Sequence, residues 1–312
     1  MPGVFADEQL AAYAAQSPPF TGFDVAVMRA GGEDRARARP TGPDLPVVRD
    51  LRVNGLAARL YQPVPEPGAL LVYLHGGGWT IGGLATHDRI CRLVARGSGA
   101  AVLALDYRLA PEHPWPASVD DTVAALRWVS AKPADLGLAA GAAGTGKIAV
   151  GGDSAGGTLA ALACLRLRDE DPPALPRLQV LLYANTDLTG SQPSMREKAT
   201  GFGLTADGVR FFSTQWVPDP ARWGDSDISP LHAPDLSGLP PALVVTAEHD
   251  PLRNEGEAYA RRLAGAGVEV ELRREPGLIH NFMMLDTVSP ACAAAVDRVN
   301  ADLRRLLTRP GG

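Results

Sequence analysis

Gly152-Asp153-Ser154-Ala155-Gly156 is a G-x-S-x-G run set between the apolar segment KIAVG and a helical pattern that opens after Ala155. A serine on a sharp strand-to-helix turn has an exposed hydroxyl, and small neighbours let the chain turn that tightly. The N-terminus of the following helix would aim backbone N–H groups at a reacting carbonyl. His75-Gly76-Gly77-Gly78-Trp79 follows a second apolar run, ALLVYL. Its consecutive glycines free the backbone to converge N–H groups on one oxygen, as stabilisation of a developing oxyanion requires. A nucleophile beside oxyanion donors is the equipment of acyl transfer, and it needs a base.

The chain has six histidines. When this chemistry sits on an α/β sheet, the chain order is serine, acid, histidine, which leaves His232, His249 and His280. His249 abuts Asp250 and leaves no acid-bearing strand end between, while His232 sits in a proline-rich stretch. His280, in PGLIHNFMM between a strand pattern and the last helix, is the candidate base. Asp250 follows the buried run ALVVTAEH and is the candidate acid, orienting His280 and stabilising its imidazolium. Glu248 and Asp187 are read as structural, and His75 as a brace for the glycine loop. A base that must be neutral to accept a proton predicts loss of activity in acid. Two other patterns are set aside. Residues 141–148 fit G-x-x-x-x-G-K but place Ile148 where a phosphate loop needs Ser or Thr, and they precede their strand. His87-Asp88 and His249-Asp250 lack the spaced ligands of a zinc site, so neither metal nor cofactor is expected.

The elements that must position these residues alternate in type. Apolar runs at 69–74, 101–105, 148–151, 178–183, 242–246 and 268–272 are separated by helical patterns near 87–97, 118–131, 155–168, 255–264 and 290–307. That rhythm predicts an α/β fold with a mostly parallel central sheet and helices on both faces. Asn54-Gly55 predicts a hairpin ahead of it. Residues 187–227 break the rhythm and are expected to be a helix-bearing insertion. The expected organisation is an N-terminal cap segment over 1–45, a catalytic core over 46–186 and 228–312, and a cap insertion over 187–227. The basic run in GGEDRARARPTGP reads as a solvated loop. Phe202, Phe211, Phe212, Trp216 and Trp223 crowd the insertion, and Phe5, Tyr13, Phe20 and Phe23 the N-terminal segment. The two segments are therefore expected to form one cap over Ser154. Trp79, Phe202, Phe211 and Phe212 would line an apolar pocket suited to small or medium esters.

Lys+Arg 30 against Asp+Glu 35 leaves a net charge of −5, which argues against nucleic-acid or anionic-membrane partners. No run approaches the roughly 18 apolar residues of a membrane span, and no secretory signal is recognisable. Cys91, Cys164 and Cys292 are too few for a disulfide framework and read as buried thiols of a cytoplasmic protein.

HGGGW (75–79), DYRLAPEHPWPA (106–117), GDSAGG (152–157) and DPLRNEG (250–256) make the chain, from about Val47 onward, resemble the hormone-sensitive-lipase-like esterases, bacterial family IV of the α/β-hydrolase fold. The resemblance implies carboxylic ester hydrolysis through an acyl-enzyme intermediate, with Ser154 as nucleophile, Asp250 as acid and His280 as base. It also implies oxyanion donors at Gly77, Gly78 and Ala155, a small-molecule ester substrate, and pairing into a homodimer through a sheet edge. Residues 106–117 would form a structural loop beneath the site. The chain departs from the family pattern with Asn254 in place of Asp, Asn281 in place of Gly, and no proline after Tyr183. Asn281 predicts a differently shaped base loop. Transfer to another alcohol, elimination, and binding without catalysis remain open alternatives, as does the natural substrate.

Overall fold

Asn54 and Gly55 both take positive φ, 49° and 86°, and reverse the chain between β1 (Val47–Val53) and β2 (Leu56–Gln62). That is the mirror-image turn whose twist matches paired strands. The computed structural model describes residues 4–16, 24–138 and 147–308. Phe20, Phe23 and the 141–146 glycine stretch lie outside the described residues.

Six further strands complete the sheet: β3 (Leu70–Leu74), β4 (Ala101–Leu105), β5 (Ile148–Asp153), β6 (Leu178–Leu182), β7 (Ala242–His249) and β8 (Val270–Ile279). The sheet runs in the order β1-β2-β4-β3-β5-β6-β7-β8. β2 is antiparallel to both neighbours, and every pairing from β4 to β8 is parallel. β3 to β6 are buried on both faces, as a doubly covered parallel sheet requires. Side chains alternate between two cores. Leu70, Val72 and Leu74 pack with α4 (Ala117–Ala131), α5 (Ala155–Glu170) and α8 (Arg253–Gly265). Leu71 and Tyr73 pack on the other face with α3 (Leu84–Ser98) and α9 (Pro290–Thr308). This is the mostly parallel, doubly covered sheet expected from the alternation of apolar runs and helical patterns, and the architecture that the resemblance to α/β-hydrolases implies.

Two expectations need correction. The basic run after Ala30 is not a loop: α2 spans Val25–Ala38, after α1 (Glu8–Ala15). Asp24 caps α2 through Ala26 and Val27 N–H, and its alanines and arginines favour helix, whereas Gly31-Gly32 reads as a break. β8 runs past Leu272 to Ile279 despite Pro276 and Gly277. Ala247 faces Glu275 but His249 faces Ile279, so β8 bulges there. Glu248 accepts the Gly277 N–H at 2.7 Å and anchors the bulge. A bulge re-aims the chain beyond it, and the first residue beyond β8 is His280. The insertion holds α6 (Pro193–Glu197) and α7 (Ala206–Trp216).

Candidate active site

β5 ends at Asp153, and Ser154 takes φ 52° and ψ −119° before α5 begins at Ala155. A non-glycine residue at positive φ is strained and persists only where its surroundings hold it. Here the Ser154 N–H donates to the Leu182 carbonyl at 2.8 Å. The two glycines of the motif have a steric cause. A Cβ on either Gly152 or Gly156 would collide with the Leu74 carbonyl oxygen at the end of β3.

Ser154 Oγ lies 3.0 Å from His280 Nε2, and His280 Nδ1 lies 2.7 Å from Asp250 Oδ2. Asp250, wholly buried at the end of β7, accepts the Leu252 N–H at 2.8 Å through its other oxygen. The imidazole is packed edge-on by the Tyr183 ring at 4.9 Å. Three strand ends thus bring together residues far apart in the chain, at the carboxyl edge of the sheet where α/β folds place ligands.

The glycine loop leaves β3 with φ 119° at Gly77 and 57° at Gly78. A Cβ at Gly77 would strike the Ile81 backbone, and one at Gly78 the Phe212 ring. Among the described residues, the N–H groups of Gly77, Gly78 and Ala155 have no protein acceptor. His75 braces the loop from below. Its Nδ1 lies 2.8 Å from the Gly76 carbonyl, and its ring stacks on Tyr107 at 4.2 Å. Burial, with His87 beside it, pulls its pKa down to about 3, so the brace is neutral. Asp153 Oδ1 accepts the Gly76 N–H at 3.0 Å. Burial opposes its charge, but His87 and the Tyr73 hydroxyl hold it below the ordinary carboxyl value.

A cavity of about 100 Å³ opens on Ser154, His280, Gly77, Gly78 and Ala155. The family profile for the alpha/beta hydrolase fold matches residues 71–284, which span all of these groups. The chain belongs to the α/β-hydrolases, in their hormone-sensitive-lipase-like branch. It is 43% identical to the carboxylic ester hydrolase LipN of Mycobacterium tuberculosis, covering 92% of this chain and 77% of that protein. It is 42% identical to carboxylesterase NlhH of the same organism, over 91% of this chain and 93% of that one. A solved esterase of Pyrobaculum calidifontis superimposes with a TM-score of 0.88 at 37% identity, covering 97% of this chain and 99% of the other.

Within this α/β-hydrolase site the pocket residues divide. Trp79 and Phe212 line the Ser154 cavity; Phe202 and Phe211 are not among its walls. Phe202 instead stacks on His249 at 4.9 Å and meets Phe5 at 5.7 Å, and Phe211 packs edge-on against Phe212 at 5.4 Å. Trp79 is itself stacked on Trp216 at 4.1 Å. The remaining walls are Ile81, Asn185, Leu204, Val209, Leu252 and Asn281. An aromatic criterion misses them because aliphatic residues near a site look like core in a sequence. Leu252, inside DPLRNEG, and Asn281, next to His280, had a positional signal.

The other histidines and acids fall where a structural role puts them. His232 Nε2 pairs with the buried Asp187 at 2.9 Å, and His249 with the Val4 carbonyl and Lys198. Asn281 occupies φ 64°, the left-handed region that asparagine tolerates. Asn254 accepts the Ser194 N–H of α6 at 3.0 Å, tying α8 to the insertion. The segment after Tyr183 is held by Glu255, which accepts the Thr186 and Asp187 N–H groups at 2.7 and 3.3 Å. Burial, with Asp187 nearby, raises the Glu255 carboxyl well above its ordinary value. Among the described residues no cluster of His, Cys, Asp or Glu is placed to hold a metal, and no helix is long and apolar enough to cross a membrane.

Proposed function

We propose that this protein is a serine carboxylesterase that hydrolyses small or medium acyl esters through an acyl-enzyme on Ser154. The observation that carries the reading is the continuous chain Ser154 Oγ, His280, Asp250, at 3.0 and 2.7 Å, facing N–H groups that have no acceptor among the described residues. His280 Nε2 takes the hydroxyl proton as Oγ attacks the ester carbonyl carbon. Gly77, Gly78 and Ala155 donate to the oxyanion. Collapse breaks the ester C–O bond, and His280 returns the proton to the departing alkoxide. Water then attacks the acyl-enzyme with His280 as base, releasing the acid and restoring Ser154. Asp250 orients the ring through Nδ1 and stabilises the imidazolium.

The names of LipN and NlhH support ester hydrolysis, and the cavity of about 100 Å³ supports short acyl groups. Contact of Phe5 with Phe202 supports a single cap built from residues 1–45 and 187–227 over a core of 46–186 and 228–312. Buried, free Cys91, Cys164 and Cys292 support a cytoplasmic location. β1 and β8 stand at the two ends of the sheet order, and pairing of two copies would go through one of these edges.

Turnover of p-nitrophenyl esters of graded acyl length tests the assignment. Wild-type protein should prefer short chains, and Ser154→Ala or His280→Ala should lose on the order of a thousandfold or more in kcat. Near-wild-type turnover in either well-folded variant contradicts it.

A further inference from the structure

α2 does not cap the core with an apolar stripe. None of its residues is buried. The face it turns inward is Met28, Arg29, Gly32, Arg35, Ala36 and Arg39, which recur at helical spacing and share one cavity of about 200 Å³. The opposite wall includes Gly76, Gly77, Ile81 and Asn281. Gly77, Ile81 and Asn281 also line the Ser154 cavity, so the arginine-lined space begins at the oxyanion loop.

Only one of the three guanidiniums is committed. Arg29 is bidentate to Glu112 and donates to the Thr80 and Ala110 carbonyls. The side chains of Arg35 and Arg39 make no hydrogen bond or ion pair among the described residues. Arg39 is half-buried, and burial draws it below the ordinary guanidinium value. Arg35 is exposed at the cavity mouth. Arg39 is the desolvated one, with Tyr13 and the Asp286 carboxylate partly offsetting that burial without a hydrogen bond to it. A half-buried donor without a hydrogen-bond acceptor is costly unless something else satisfies it.

The helix makes room for this arrangement. A Cβ at Gly31 would lie 3.3 Å from Arg35 Nη1, and one at Gly32 4.0 Å from Nη2. Paired glycines weaken a helix interior; Gly31 lets the Arg35 guanidinium lie close against the helix, whereas a side chain at Gly32 would meet it only in ordinary contact. Arg37 differs, pairing with Asp34 and Glu33 on the exposed side. Asp153, the one carboxylate among the described residues that line the cavity, is engaged by the Tyr73 hydroxyl and the Gly76 N–H.

We propose that Arg35 and Arg39 form a subsite for a carboxylate carried by the ester substrate, so that the enzyme selects anionic esters over neutral analogues of the same shape. The proposal rests on the esterase reading of Ser154 and specifies its substrate class. A net charge of −5 makes the whole molecule's field repulsive to such a substrate, so any preference is local to this cavity.

The test compares kcat/KM within two pairs that differ only in charge. Monoethyl glutarate against ethyl glutaramate places the carboxylate on the acyl side; acetoxyacetate against acetoxyacetamide places it on the alcohol side. One pair should favour the anion by roughly tenfold to a hundredfold, the scale of a charge-assisted hydrogen bond. That ratio should shrink in 0.5 M NaCl and collapse toward one in Arg39→Gln and Arg35→Gln. It should survive in Arg39→Lys, which guards against a Gln variant that folds poorly, and in Arg37→Gln on the exposed face. Ratios near one in both wild-type pairs overturn the proposal, as does an equal loss in Arg37→Gln. Failure to hydrolyse the neutral esters as well would instead overturn the esterase reading.

Discussion

Gly156 lies where a methyl group would meet the Leu74 carbonyl, so space as well as turn geometry dictates the residues around Ser154. Gly156→Ala should lower the unfolding free energy by about 1–3 kcal/mol, the usual cost of overpacking, and displace Ser154 from His280. A lower denaturation midpoint together with reduced ester turnover is the expected result; unchanged values for both would mean that the elbow relaxes freely. Glu255 offers a prediction of opposite sign. Burial raises its carboxyl well above the ordinary value, so as pH rises through the ordinary glutamate range the unfolded chain releases its proton before the folded state does. That contribution weakens folding as pH rises. Glu255→Gln keeps an acceptor for the Thr186 and Asp187 N–H groups and removes the penalty, so at pH 8 it should unfold at higher denaturant than wild type. Glu255→Ala should unfold at lower denaturant at every pH, and equal midpoints for Gln and wild type at pH 8 would contradict the assignment. Ser154, Asp250 and His280 were legible in the sequence because chain order and turn chemistry constrain them together. Asn185, Leu204 and Val209 were not, because no spacing rule separates a pocket wall from a core residue.

Among the elements, the glycine loop and the N-terminal segment are those on which the proposed oxyanion hole and cap depend. The loop rests on a neutral His75 whose pKa is pulled to about 3 by burial. The unfolded chain therefore takes up a proton that the folded one refuses, and stability falls as pH drops from about 6.5 toward 3. His75→Asn should flatten the acid side of the stability curve, read by denaturant titrations at pH 7, 6 and 5; an unchanged slope would show that His75 is not its source. The N-terminal segment is stitched to the base loop by Ala6 N–H to the Gly277 carbonyl at 3.0 Å and by Asp7 to Ser289 and Ala291. Phe5→Ala should loosen its contact with Phe202 and raise turnover of long-chain esters relative to short ones. A chain-length profile identical to wild type would remove the cap from specificity. α2 was the element least visible in the sequence. Three of the six residues on its inward face are arginine and one is glycine, so the apolar periodicity that marks other helices is missing.

At the scale of the whole molecule, the eight strands that the described residues join into one sheet, with helices on both faces, result from short apolar runs that could be buried only between two layers. The order β4-β3-β5 places the glycine loop beside the nucleophile, because β3 pairs with both neighbours and ends at Leu74 opposite Gly152. Strand existence was readable; the end of β8 was not, since Pro276 and Gly277 mimic a stop while Glu248 holds the bulge in place. The central claim is that this scaffold activates Ser154 through His280. Its most direct test is reaction with a small phosphonate ester, followed by mass spectrometry of the digested protein. A single adduct on the peptide carrying Ser154 is expected, absent in Ser154→Ala and slowed by orders of magnitude in His280→Ala. An adduct at another residue, or continued ester turnover with Ser154 unmodified and the reagent in excess, would contradict it.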